Sequence, residues 1–302
     1  MRDLKNAVRQ MARRPALPVV IVAMLAIGIG ATTGIFSLFH QLLMKPLPVH
    51  EPNRLVNVAP SPIPVLSYPM FRDLESRQDV LTDLAAFNLI EANLSYEAQL
   101  RSGMAMTVSG HYFEVLGLLP ALGRFIGPQD EPALGESRVA VLSHDYWQRD
   151  LRGDQDIVGR TLTIKGRALT IIGVAPPGFS GTVLGARPQA FVPLTLEFML
   201  RNLRSGEEGN RFGFSLLAFG RLRPGVEIDQ AEAALDALHA AIVADFEASL
   251  DPGFPVPERT IALEPGELGL RDELVGEFAE PLTMLFGVTV VELLVVAGNG
   301  AS

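Results

Sequence analysis

The side chains able to do chemistry are scattered along this chain rather than gathered. Its five histidines, His40, His50, His111, His144 and His239, show no H-x-x-x-H or H-E-x-x-H spacing, the pattern that sets two imidazoles on one helix face for zinc. Cysteine is absent, which excludes a thiol nucleophile, thiolate metal sites and disulfides. No G-x-x-x-x-G-K-[ST] loop is present to cradle nucleotide phosphates, and no G-x-S-x-G elbow to expose a serine. The acidic run Gln129-Asp130-Glu131 lies beside prolines and reads as a solvated turn, at most a weak calcium contact. No catalytic, cofactor-binding or metal-ligating residue is therefore assigned, and an enzyme ranks behind every other class of function.

One glycine pattern carries a different meaning. Gly28, Gly30 and Gly34 put G-x-x-x-G, here GATTG, inside a long apolar stretch. A dinucleotide fingerprint must follow a strand and open a helix, whereas small residues on a membrane helix let a second helix backbone approach closely. These three glycines are the expected packing face against another membrane helix.

The surrounding sequence explains why a membrane is expected. Pro15 to Met44 contains no Lys, Arg, Asp or Glu over thirty residues. As a helix, residues 18–43 would rise roughly 39 Å against a hydrocarbon core of about 30 Å, enough to span with some tilt. A cleaved signal peptide has a shorter apolar region and a small-x-small cleavage site, and KPLPVHEP supplies none. Arg2, Lys5, Arg9, Arg13 and Arg14 precede the span and only Lys45 and Arg54 follow closely, so the N-terminus is expected to be cytoplasmic. Residues 1–17 then form a basic juxtamembrane helix suited to anionic lipid.

A second apolar segment covers 281–302 and is interrupted by Glu292. A central acid costs ~2.5–3.5 kcal/mol on insertion, which about cancels the gain from its apolar neighbours. A partner helix sheltering Glu292 would favour insertion. This segment reads as a second transmembrane helix, truncated at Ser302.

Between the spans, residues 44–280 are enough for a sizeable core. The chain is 48% hydrophobic with a mean hydropathy of +0.26. Its net charge is −9, and since the first fourteen residues carry +4 the rest carries −13, which disfavours nucleic acid as a partner. With no disulfides, the domain must hold by core packing.

Short strands and helices broken by Pro and Gly predict an α+β domain, a mixed sheet with packed helices. Ser61 to Met70 carries too many prolines for a central strand and is expected to be extended surface chain. Phe71 to Phe87 spaces Phe71, Leu74, Leu81 and Leu84 at near-helical intervals and predicts a helix. Ser137 to Ser143 predicts a strand, followed by a short helix. Thr161 to Phe179 predicts a hairpin turning at Lys165-Gly166. Leu216 to Leu222 predicts a strand ending at Pro224-Gly225. A helix should follow, capped by Asp229 with Glu232 closing a capping box, its packed face Ala231, Leu235, Leu238, Ile242 and Phe246.

The opening DLKNAVRQMARRPALPVVIVAMLAIGIGATTGIFSLFHQLLMKPLP resembles the start of MacB/FtsX-type ABC transporter permeases, especially the duplicated orphan permeases. The likeness continues through LSYPMFRDL, VSGHYFEVLGLLPALGR, VAVLSHDYWQRDLRGD, VGRTLTIKGRALTIIGVAPPGF and RLRPGV, in the order of a MacB-like periplasmic core domain. The resemblance covers essentially the whole chain. It implies the N-terminal portion of a permease in a bacterial inner membrane, with the central domain periplasmic or extracellular. It also implies membrane lipid, a cytoplasmic ABC ATPase and the remaining permease helices or a second permease copy as partners. ATP would be used by the partner subunit and no cofactor held by this chain. Glu292 departs from the family pattern, which is apolar there. The alternative is a membrane-anchored extracytoplasmic ligand-binding or sensor module without transport activity.

Overall fold

The computed structural model describes residues 47–271 except 98, 132–135, 202–208, 251–255, 257–258 and 267–268, together with the helical positions Ala26, Ile29, Gly30, Thr33, Gly34 and Ser37. The chain divides into two units, 1–45 with 271–302, and 46–270. Apart from those six helical positions, both expected spans, 18–43 and 281–302, and the basic segment 1–17 lie outside the described residues. Among the described residues, no helix is long and apolar enough to cross a membrane.

The 46–270 unit contains the strands β1 Leu55–Ser61, β2 Leu66–Ser67, β3 Leu81–Tyr96, β4 Gln99–Val108, β5 Leu122–Gly123, β6 Val139–Leu142, β7 Thr161–Ile164, β8 Arg167–Val174, β9 Val183–Leu184, β10 Ala190–Pro193, β11 Phe214–Leu222 and β12 Thr260–Pro265. Its α-helices are α1 Tyr68–Arg77, α2 Tyr112–Leu116, α3 His144–Asp150, α4 Glu197–Leu200 and α5 Ile228–Glu247. The main sheet runs β12-β1-β11-β3-β4-β10-β6-β8-β5, with β2 beside β11 and β7 joined to both β3 and β8. The β10/β4 and β6/β8 pairs are parallel and the other pairs antiparallel, so the mixed α+β sheet is as expected. Because β7 meets the far end of β3 at Leu94↔Ile164, one half of the sheet curls into a closed ring of strands.

Alternation along the strands sorts side chains into separate cores. Val56 and Val58 of β1, Leu84 and Ala86 of β3, and Leu216 and Ala218 of β11 pack with α1 and α5. Leu55, Ala85, Phe87 and Phe219 point to the opposite face, where Tyr112 and Phe113 of α2 and Phe191 join them. Tyr112 makes edge contacts with Phe87, Phe113 and Phe219 at centroid distances of 5.1 to 5.9 Å, and its hydroxyl lies 3.0 Å from Thr182 Oγ1. A third core, with Trp147, Leu162 and Ile171, fills the ring.

The helix expected over Phe71 to Phe87 ends at Arg77, and Leu81 begins a sixteen-residue strand. Gln78 is extended, and its Oε1 accepts the N–H of Leu81 at 2.8 Å. Leu84 through Phe87 are buried on both sheet faces, which erases the period-2 signal and mimics a helical run. Pro62 to Pro64 are exposed as expected, but Leu66-Ser67 forms a buried strand on β11, and Ser67 Oγ caps α1 by accepting Met70 N–H at 3.4 Å.

The Lys165-Gly166 turn appears where expected, with φ of 47° and 78°, the two positive values of a type I′ turn. The expected cap of α5 does not form. Its N-cap is Glu227, without a side-chain hydrogen bond, and Asp229 lies inside the first turn. Glu232 Oε2 instead accepts Leu263 N–H at 2.7 Å, and Asp236 Oδ1 accepts Ile261 N–H at 2.8 Å. Two carboxylates one turn apart thus cover the outward N–H groups of edge strand β12, which would otherwise invite another strand.

Candidate functional site

The chain enters and leaves the 46–270 unit at one end of the sheet. Residues 47–54 lead into β1, and 266–270 follow β12. Strands β1 and β12 pair antiparallel from Val56↔Pro265 to Ser61↔Thr260, so the incoming and outgoing segments lie side by side. Gly266 N–H then donates to Leu55 O at 2.8 Å, and Gly269 N–H returns to Gly266 O at 2.9 Å. Asn57 Nδ2 donates to Gly269 O at 3.4 Å, joining the two segments again. Gly269 has φ +76°, and a Cβ there would sit 2.5 Å from Thr182 O, so only glycine fits without strain.

Arg221, opposite Leu55 on β11, fastens the incoming segment to the body of the sheet. Its side chain is buried, and all three guanidinium nitrogens donate to backbone carbonyls. Nε reaches Val115 O at 2.9 Å, Nη1 reaches Glu51 O at 3.0 Å, and Nη2 reaches His50 O at 2.6 Å. Burial, and then the nearby Arg54, lower its pKa from the ordinary arginine value, while Glu51 acts in the opposite sense. Arg54 donates to Leu222 O and to Glu51 Oε2, the latter at 2.6 Å. His50 N–H donates to Leu116 O at 3.2 Å, so α2 is bound into the same joint. The arrangement holds the incoming segment against β11 and α2.

A second polar cluster lies between α1, β3 and the loops at 109–111 and 130–131. Arg72 Nη1 is 2.6 Å from Glu75 Oε2 and 3.9 Å from Glu131 Oε2, and Glu131 Oε2 accepts Gly110 N–H at 2.9 Å. Burial raises both glutamate pKa values, against the pull of Arg72. His111 Nδ1 stands 3.6 Å from Asp83 Oδ1 and 3.5 Å from Glu114 Oε2.

The acidic run at 129–131 is therefore not a solvated turn. Asp130 and the Glu131 side chain are buried, and Arg124 grips Asp130 through two hydrogen bonds of 2.6 and 2.9 Å. Burial alone would raise the Asp130 pKa, but Arg124 and the Gly127 N–H overcome it and lower the value. Among the described residues, no group of three or more His, Asp or Glu side chains is gathered to hold a metal ion.

Of the expected site residues, Gly30 and Gly34 are helical and exposed, and a Cβ on either would meet nothing within 4 Å. Gly28 and the basic residues Arg2, Lys5, Arg9, Arg13 and Arg14 lie outside the described residues. The joint at Arg221 was not anticipated. Its signal was an arginine placed late in the otherwise apolar strand LLAFGRL, followed much later by two glycines spaced three apart.

The sequence family described as the MacB-like periplasmic core domain matches residues 19–238. The chain belongs to that family. Its fold is similar to that of a domain of a permease protein from Porphyromonas gingivalis, at 16% identity and a TM-score of 0.51, covering 72% of this chain and 92% of the other. The periplasmic region of MacB from Actinobacillus actinomycetemcomitans is similar at 14% identity and a TM-score of 0.52, covering 75% and 92%. The extracellular domain of the noncanonic ABC-type transporter YknZ from Gram-positive bacteria is similar at 13% identity and a TM-score of 0.50, covering 70% and 99%. No curated protein matches the chain. At these identities the likeness to the solved structures is one of fold, and the family match includes Arg221 and ends within α5, before β12.

Proposed function

We propose that this chain is the N-terminal portion of an ABC transporter permease whose MacB-like domain couples ATP hydrolysis by a separate cytoplasmic ATPase to export or other work outside the membrane. Residues 18–43 and 281–302 serve as membrane helices, the first with a cytoplasmic N-terminus held at anionic lipid by Arg2, Lys5, Arg9, Arg13 and Arg14. Gly28, Gly30 and Gly34 pack against another permease helix or a second permease copy. The chain performs no chemistry of its own and holds no cofactor.

The observation that supports this reading is the pairing of β1 with β12 at the end where the chain enters and leaves, fastened to β11 and α2 by Arg221. Displacement of either flanking segment along the strands would move both together, and Arg221 would carry it into the sheet. A ligand-binding module needs no such joint at its attachment.

The test is affinity purification of the full chain from its native membranes, with ATP turnover measured in the purified complex. Recovery of an ABC ATPase whose turnover changes on Arg221→Gln is the expected result. Recovery of the chain with no ATPase under conditions that preserve membrane complexes would overturn the reading.

A further inference from the structure

At the other end of the same three strands lies a cavity of about 30 Å³, walled by Met70, Arg211, Phe214, His239, Phe246 and Arg259. Arg259 immediately precedes β12, Phe214 opens β11, and His239 and Phe246 come from α5. Seven residues of β1 separate this end from the Arg221 joint, roughly 20 Å of strand.

Its polar groups are incompletely used. His239 is 2% exposed, and its Nδ1 has no hydrogen-bond partner. Arg211 Nη1 and Arg259 Nε are likewise buried and unpartnered. Arg259 Nη2 donates to Ile63 O and to Val65 O, and among the described residues no carboxylate pairs with this guanidinium. Arg211 is matched by Asp73 at 2.6 Å. Among the described residues, Asp73 is the one carboxylate in ion-pair contact with either of these two guanidiniums.

Aromatic rings hold both cations against the cavity. The Arg259 guanidinium carbon lies 4.1 Å from the Phe214 ring centre, and that of Arg211 lies 5.0 Å from the Phe246 centre. Both arginines are half-buried, but a buried N–H without an acceptor is costly, and an anion that accepts hydrogen bonds from Arg259 Nε and Arg211 Nη1 relieves that cost. The volume admits a carboxylate head but not a long chain, and the Met and Phe walls favour an apolar substituent at the mouth.

We propose that this cavity receives the carboxylate of a small apolar monoacid, the chemistry shared by a short fatty acid and by a peptide C-terminus ending in an apolar residue. The carboxylate accepts from Arg259 Nε and Arg211 Nη1 and neighbours the His239 imidazole. It thereby ties β11, β12 and α5 together at the end opposite the joint.

The experiment uses the full chain in lipid nanodiscs with nitrogen-15-labelled histidine, the His239 signal being assigned with His239→Gln. Hexanoate and N-acetyl-leucine are titrated beside hexanamide and N-acetyl-leucinamide. The expected result is a saturable His239 shift with at least about tenfold tighter binding of acid than of amide, since charge-assisted hydrogen bonds are the stronger ones. Binding by hexanoate alone marks a fatty-acid site, binding by N-acetyl-leucine alone marks a peptide-end site, and either supports the proposal. Arg259→Lys should weaken binding by about tenfold, and if that variant does not fold the wild-type titration decides. No His239 shift at millimolar acid, or equal binding of acid and amide, would overturn the proposal.

Discussion

Arg221 Nη2 donates a 2.6 Å hydrogen bond to the carbonyl oxygen of His50, a residue 171 positions earlier in the chain. The same guanidinium holds Glu51 O and Val115 O, so one side chain ties the incoming segment, β11 and α2 together. A charged donor serving one buried and two part-buried carbonyls is worth more than its separate bonds, because its loss orphans Val115 O and leaves the other two acceptors to water.

Arg221→Gln should therefore lower stability by about 3 kcal/mol, the order expected for lost charge-assisted bonds with unsatisfied carbonyls left behind. Urea denaturation followed by circular dichroism measures it. A change below about 0.5 kcal/mol, the ordinary range for surface substitutions, would show that the joint bears no load at rest.

Gly269→Ala should destabilise by at least about 1 kcal/mol, because the new Cβ meets Thr182 O at 2.5 Å and φ is +76°. Gly225→Ala is the control, with φ +80° but open space around the added Cβ, and should cost less. Equal melting temperatures for the two variants would remove the close packing of the outgoing segment from the account.

The predicted pH dependence has two limbs. Burial raises the pKa values of Glu75 and Glu131, so the folded state holds their protons more tightly than the unfolded state does. Their contribution is most favourable below the unfolded value of about 4.3 and is lost as pH rises through the folded values. Asp130 is shifted down, so its contribution is present above about 3.9 and is lost as pH falls through its folded value. Glu131→Gln should flatten the decline in melting temperature on the rising side, and Asp130→Asn should remove part of the acid limb. A wild-type steepness retained in both variants would contradict these assignments.

Replacing Glu232 and Asp236 with Ala should expose the edge N–H groups of Ile261 and Leu263. About 1 kcal/mol of stability should be lost at each position, with increased self-association through β12. Analytical ultracentrifugation of the double variant tests this, and a monodisperse species of unchanged size and stability would count against edge protection.

Elements ruled by local chemistry were legible in the sequence. The hairpin of β7 and β8 was announced by Gly166 between alternating apolar runs, glycine being at ease at the positive φ that the turn requires, and α5 by its apolar face. Where both faces of an element are buried the periodicity vanishes, and so Leu81 to Phe87 read as helix. Glu232 read as a capping residue because its partner, the N–H of Leu263, is 31 positions away. Asp130 read as solvated because its exposure depends on where Arg124 folds back. The Arg221 joint showed in the sequence only as an arginine inside an apolar strand, because its acceptors are backbone atoms and leave no trace in residue type.

The most direct test of the relay joins β1 to β11 covalently. Because the chain has no cysteine, Val58→Cys with Ala218→Cys, residues facing each other across the two strands, introduces one switchable bond. The measurement is ATP turnover of the complex purified with its ATPase, carrying Arg221→Gln with and without this cysteine pair. Turnover should fall in Arg221→Gln, recover when the disulfide forms and fall again on reduction. Wild-type turnover in folded Arg221→Gln, or no recovery on oxidation, would contradict a relay through the Arg221 joint.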